Sequence, residues 1–210
     1  MNAGVGFGGG CLPKDIRAFI SRAEELGRGE SVLFLKEVDA INLRRRERVV
    51  QLAIEALDGS VNRRRIAVLG LAFKPDSDDI RDSPALDVAV RLRGLGAELR
   101  VTDPKALSNA QRQHPQLNYY DSVERSVDGA DLVILLTEWA EYRALQPELI
   151  APLVNQAIII DGRNALNREL WQHHDWQYWG LGRSNGENRS DAEMLTIAPI
   201  GPLQSAFIRA

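Results

Sequence analysis

Three short apolar runs constrain this chain most: Ile66-Ala67-Val68-Leu69, Leu132-Val133-Ile134-Leu135-Leu136 and Ile158-Ile159-Ile160. None alternates polar with apolar residues, so none suits a strand with one wet face. Uninterrupted runs this short are strands buried on both faces, as in a parallel sheet covered by helices. The segments between them read as helices and turns. Ser83-Pro84 is an N-cap followed by proline in the first turn, opening a helix over 84–95 that Gly94 and Gly96 stop. A strand over 98–102 ends at Asp103-Pro104. A helix over 105–112, a weak strand near 117–119 and a helix near 121–127 follow. Residues 139–145 and 147–152 read as helical turns, and 176–180 as a last strand. The alternation predicts an α/β chain with a doubly wound parallel sheet.

Upstream of the sheet the pattern is helical. Ile16, Phe19, Ile20, Ala23 and Leu26 share a stripe over 12–27, with Gly27 as a stop. Val32, Leu35, Val38, Asn42, Val49, Ala53 and Leu57 recur at helical steps over 30–58. A helix of about 29 residues is roughly 43 Å long. That exceeds one compact layer, so it is expected to bridge domains or form a homodimer seam. Arg44, Arg45, Arg46 and Arg48 within it read as a solvated face.

The chemistry concentrates near the start, in Gly4-Val5-Gly6-Phe7-Gly8-Gly9-Gly10-Cys11-Leu12-Pro13-Lys14-Asp15. Five glycines precede the only cysteine. Glycine lets a backbone approach a ligand closely. Pro13 suits a first helical turn, which sets Cys11 at or beside a helix N-terminus, a position that favours an anion. The pattern reads either as a binding loop delivering a nucleophile or as a structural free cysteine. One cysteine excludes an internal disulfide and suits a reducing cytosol. The net charge of −3 gives no electrostatic case for nucleic acid. No apolar run approaches the roughly 18 residues that span a bilayer. The start lacks the basic and apolar regions of a signal peptide. A glycine loop with nothing before it suggests a fragment. With 44% hydrophobic residues over 210 positions, the chain can fill one large domain or one domain plus an appendage. Beyond about Ser184 it is polar and aperiodic, and a mobile tail is expected over 184–210.

Charged residues cluster at the expected strand C-termini: Lys74 to Arg81, Asp103, and Asp161 to Arg163. Ligands of doubly wound sheets bind there. Two converging cations would suit an anion such as a diphosphate. Asp76, Asp78, Asp79 and Asp82 read mostly as turn and helix caps, and no metal is expected. Gly70-Leu71-Ala72 carries one glycine of the G-x-G-x-x-G fingerprint, so this Rossmann-like sheet is not expected to hold a dinucleotide.

The stretch Gly6 to Asp15 resembles the catalytic loop of the UDP-glucose/GDP-mannose dehydrogenase family. Gly70 to Pro84, Thr102-Asp103-Pro104 and Asp161-Gly162-Arg163 extend the resemblance, in order, over about residues 1–182. It implies three parts: a catalytic loop with central dimerisation helices (1–60), a Rossmann-like UDP-sugar-binding domain (61–183), and the tail. It implies oxidation of the UDP-glucose C6 alcohol to UDP-glucuronate with two NAD, through a thiohemiacetal and a thioester. Cys11 would be the nucleophile, and Asp15 would orient or activate the hydrolytic water. Val5, Gly6, Phe7, Gly8, Phe73, Lys74 and Arg163 would hold the substrate. Cys11, Lys14 and Arg81 would face an NAD bound mainly by an N-terminal domain that these residues do not include. GDP-mannose is the alternative substrate, and a non-catalytic nucleotide-sugar-binding and dimerisation module is the alternative role. Gly10 stands where the family usually has serine.

Overall fold

A computed structural model describes residues 3–182. Six strands form one sheet: β1 (Arg65–Leu69), β2 (Glu98–Thr102), β3 (Asn118–Tyr119), β4 (Leu132–Leu135), β5 (Ile158–Asp161) and β6 (Gln177–Gly180). Every pair is parallel, and the order is β3-β2-β1-β4-β5-β6. The order reverses between β1 and β4, which sets the ligand crevice of such a sheet beyond Leu69 and Leu135. The three apolar runs are its centre. Ile66 to Leu69, Leu132 to Leu135 and Ile158 to Asp161 are buried on both faces. The α/β reading therefore holds.

Helices α3 (Pro84–Gly94), α4 (Leu107–Gln113) and α5 (Val123–Val127) follow the first strands. Short helices α6 (Ala140–Arg143) and α7 (Pro147–Ile150) lead to β5, and α8 (Arg168–His173) joins β5 to β6. The sequence pattern did not indicate α8. It is six residues long, and Trp171 is its only buried residue, too little for a periodic stripe. Ser83 caps α3 as expected, its Oγ accepting the Leu86 N–H.

The helices upstream differ from expectation. Residues 30–58 are not one helix but a 3-10 turn, Gly29–Val32, followed by α2 (Leu33–Ala56). Helix α1 (Leu12–Glu25) buries Pro13 and Ile20 but leaves Phe19 59% exposed. Its stripe is only partly covered: Ile20 is buried and Ile16 and Ala23 are half-buried, while Phe19 and Leu26 face outward. The second half of α2 packs into the sheet core through Val49, Val50, Leu52, Ala53 and Ala56. Its first half leaves Leu33, Phe34, Val38 and Ile41 exposed. The arginine run also splits. Arg44, Arg45 and Arg48 are exposed, but Arg46 is buried, with Nη2 2.8 Å from Asp82 Oδ1. The expected tail lies outside the described residues. Among the described residues, no helix is long and apolar enough to cross a membrane.

Candidate functional site

The glycine loop lies across the C-terminal edge of the sheet and is held on several sides. Val5 N–H donates to the Gly162 carbonyl at 2.7 Å, and Gly9 N–H to the Arg81 carbonyl at 2.9 Å. Phe7 is bound from α2 through both of its backbone polar groups: its N–H donates to Asn42 Oδ1 at 2.8 Å, and its carbonyl accepts from Asn42 Nδ2 at 2.9 Å. Gly8 must be glycine, because a Cβ there would lie 2.2 Å from the Asp82 carbonyl oxygen. The loop ends at Cys11, the N-cap residue of α1, whose carbonyl accepts the Asp15 N–H at 2.8 Å. The thiol is exposed.

A cavity of about 850 Å³ opens beside this loop. Cys11, Phe7, Phe73, Lys74, Arg81 and Arg163 line it, so the glycine loop, the loop after β1 and the turn after β5 meet there. Gly6 and Gly8 line it as well. Three expected site residues do not. Val5 is fully buried in the core. Lys14 and Asp15 pair with each other at 3.3 Å on the exposed start of α1.

The cations of the cavity differ in how committed they are. Arg163 is largely buried. Its Nε donates to the Leu136 carbonyl at 2.7 Å, Nη1 to Gly6 at 3.1 Å and Nη2 to Phe73 at 3.3 Å. Glu138 Oε2 also lies 3.1 Å from Nε, as an ion pair without hydrogen-bond alignment. Burial pushes the Arg163 pKa down, against the opposing charges of Glu138 and Asp161. Arg163 therefore joins the glycine loop to the ends of β1 and β4. Arg81 pairs with Asp79 at 2.7 Å, and its hydrogen bond holds the Asp79 carboxyl below its ordinary range. Lys74 lies 5.5 Å from the Phe73 ring centroid. Lys74 and Arg45, a lining residue from α2 that the sequence reading missed, form no ion pair with a carboxylate among the described residues.

The aspartates at the strand ends are structural. Asp103 is buried and accepts five hydrogen bonds: Leu71 N–H (2.7 Å), Ala72 N–H (3.0 Å) and Trp139 Nε1–H (3.2 Å) at Oδ2, and Lys105 N–H (2.9 Å) and Ala106 N–H (2.7 Å) at Oδ1. Asp161 accepts from the N–H groups of Arg163 and Leu166 and from the Tyr178 hydroxyl. In a dinucleotide site, the turn after β1 offers its N–H groups to a pyrophosphate, and an acidic residue takes the ribose. Here that turn's N–H groups are spent on Asp103.

Two missed residues, Asn42 and Glu138, also line the cavity. Asn42 left a trace in the sequence, as a polar residue inside an apolar helical stripe. Glu138 left none.

Comparison with known proteins points to one family. Residues 1–44 match the central domain of the UDP-glucose/GDP-mannose dehydrogenase family, and residues 67–168 match its UDP binding domain. The chain is 36% identical over 184 residues to UDP-glucose 6-dehydrogenase TuaD of Bacillus subtilis, covering 87% of this chain and 39% of that protein. It is 35% identical to the UDP-glucose 6-dehydrogenase of Rickettsia typhi, covering 87% of this chain and 42% of that one. A UDP-glucose dehydrogenase structure from Pyrobaculum islandicum superimposes with a TM-score of 0.72 at 34% identity, over 85% of this chain and 38% of that chain. The chain thus spans about two fifths of the length of these relatives. With both domain patterns matched in order over more than half its length, it belongs to the UDP-glucose/GDP-mannose dehydrogenase family.

Proposed function

We propose that this chain is the nucleotide-sugar-binding and nucleophile-bearing part of an NAD-dependent UDP-glucose 6-dehydrogenase. The observation that carries the reading is the single cavity in which Cys11 meets Phe73, Lys74 and Arg163. Lys74 and Arg45 are uncommitted cations, suited to a diphosphate. Phe73 and the glycine loop offer an apolar wall and close backbone approach for the sugar and nucleoside. Arg163 acts mainly by shaping the cavity wall, since three backbone carbonyls already occupy it.

The Cys11 sulfur adds as thiolate to the C6 aldehyde carbon, forming a C–S bond and a thiohemiacetal. Loss of hydride from that carbon leaves a thioester. Water then breaks the C–S bond, releasing the uronate and restoring the thiol. When bound, NAD⁺ would supply the hydride acceptor for the thioester-forming step and for the preceding oxidation of the C6 alcohol to that aldehyde. It would be carried by a part of the protein outside the described residues, with the exposed Arg81 and Lys14 on the side open to it. Asp15, on the first turn of α1, would serve the hydrolytic water from the same side. The exposed apolar face of α1 and α2 supports pairing with a second copy.

The test is protection of Cys11. UDP-glucose should slow its alkylation by iodoacetamide, read by intact mass, and GDP-mannose should protect less. Stronger protection by GDP-mannose overturns the substrate assignment. The purified 210-residue chain should form no NADH from UDP-glucose and NAD⁺. Turnover by it alone would remove the need for a separate dinucleotide-binding part.

A further inference from the structure

Helix α2 presents its first half to solvent, with one exception at the level of the glycine loop. Asn42 is 3% exposed, and Arg46, one turn further on, is 4% exposed. The Asn42 amide both accepts from Phe7 N–H and donates to Phe7 carbonyl, at 2.8 and 2.9 Å. This two-bond pairing resembles what an adjacent β-strand would provide, delivered here by one side chain. A carboxylate cannot donate, and an alanine offers neither bond. The loop is shaped to fit the amide: Gly6 has φ of 118°, and a Cβ on it would lie 2.4 Å from Asn42 Oδ1.

Between Phe7 and Cys11 stand three glycines, which have no side chains to anchor them. Their path must be imposed from outside. Gly9 N–H to Arg81 carbonyl is one restraint on that side; before it stand the two-bond Phe7–Asn42 pair, a longer Arg46 bond to the Phe7 carbonyl and the Arg163 bond to the Gly6 carbonyl. We infer that Asn42 is a positioning residue for the cysteine loop, setting the height at which the Gly6 to Cys11 backbone faces a bound nucleotide sugar. This rests on the reading of the cavity as a nucleotide-sugar site. Asn42 acts through Phe7 and need not touch the ligand.

The test compares Asn42→Ala and Asn42→Asp with Val50→Ala in the 210-residue chain. Val50 is buried on the same helix about two turns away and does not line the cavity, so it serves as a control for lost stability alone. UDP-glucose affinity is measured by calorimetry at a temperature where circular dichroism shows all variants folded. Backbone hydrogen exchange is followed on the peptide spanning residues 5–11. Both Asn42 variants should raise the Kd at least tenfold and speed loop exchange at least tenfold, while Val50→Ala changes neither. Asn42→Asp keeps the acceptor and guards against a variant that simply fails to fold. Unchanged loop exchange in both Asn42 variants overturns the inference, as does equal loss of affinity in Val50→Ala. If the parent chain binds no UDP-glucose, the functional reading fails by itself, and loop exchange still decides the role of Asn42.

Discussion

Arg163 Nη1 lies 3.1 Å from the carbonyl oxygen of Gly6, joining residues 157 positions apart in the chain. The same guanidinium reaches Leu136 and Phe73. One side chain thus sets the glycine loop against two strand ends. The three bonds leave from three different nitrogens of a planar fork, whereas the donors of a lysine all diverge from one. Arg163→Lys keeps the charge but loses the fork, leaving buried carbonyls unpaired. The expected cost is about 2–4 kcal/mol of stability, read by urea unfolding, with weakened UDP-glucose binding. A variant as stable as the parent would mean the fork is dispensable.

Gly8→Ala places a methyl against the Asp82 carbonyl and the Pro84 ring, which backbone geometry holds in place. The loop must lift. The expected result is a destabilisation of about 1–3 kcal/mol and loss of UDP-glucose protection at Cys11. Full protection with normal stability would show that the loop adapts.

Asp103→Asn replaces a carboxylate with five donors around it by an amide that must turn one NH₂ toward donors. A loss of about 3 kcal/mol is expected, measured by thermal or urea unfolding. UDP-glucose protection of Cys11 should survive below the new Tm, since Asp103 does not line the cavity.

Tyr119 is partly buried, which pushes its phenol up to about 12, and deeper burial raises Tyr142 as well. A raised phenol stays neutral in the folded state while the unfolded chain ionises from about pH 10. Stability from these groups is therefore intact below pH 10 and declines as pH rises above it. Absorbance at 295 nm should show Tyr119 and Tyr142 resisting ionisation until the chain unfolds. Ionisation of every tyrosine near pH 10 in a folded chain would contradict this.

Phe34 is 65% exposed beside Leu33 on the first half of α2, while Val38 and Ile41, further along, line the cavity. Contiguous apolar surface on a helix marks an interface. If a second copy covers it, Phe34→Glu should shift the chain from dimer to monomer in light scattering coupled to size exclusion, with little change in Tm of the monomer. A parent chain that is monomeric at micromolar concentration would assign this face to another part of the protein.

The central strands were legible from sequence because burial on both faces leaves an unbroken apolar run, a local signal. The same holds for the Ser83 cap and the turns at Gly27 and Gly96, which rest on near-neighbour geometry. The break between Gly29–Val32 and α2 was not legible, since the apolar spacing runs on through the 3-10 turn. The α1 stripe was periodic but only partly packed, with Ile20 buried and Phe19 exposed, because periodicity reports a face and not what covers it.

For the site, the family resemblance already implied Cys11, Phe73, Lys74, Arg81 and Arg163, and the structure brings these five to one cavity. What the linear order could not determine was how each charge is spent. Asp103 and Asp161 look like ligand groups and are taken up by backbone N–H groups together with Trp139 and Tyr178; Arg46 looks solvated and is buried against Asp82. Sequence alone determined the sheet, the caps and the placing of a lone cysteine after a glycine run, because these follow from patterns a few residues long. Tertiary structure decided that Asn42 and Arg163 hold that run in place, because those hydrogen bonds join backbone groups 35 and 157 positions away.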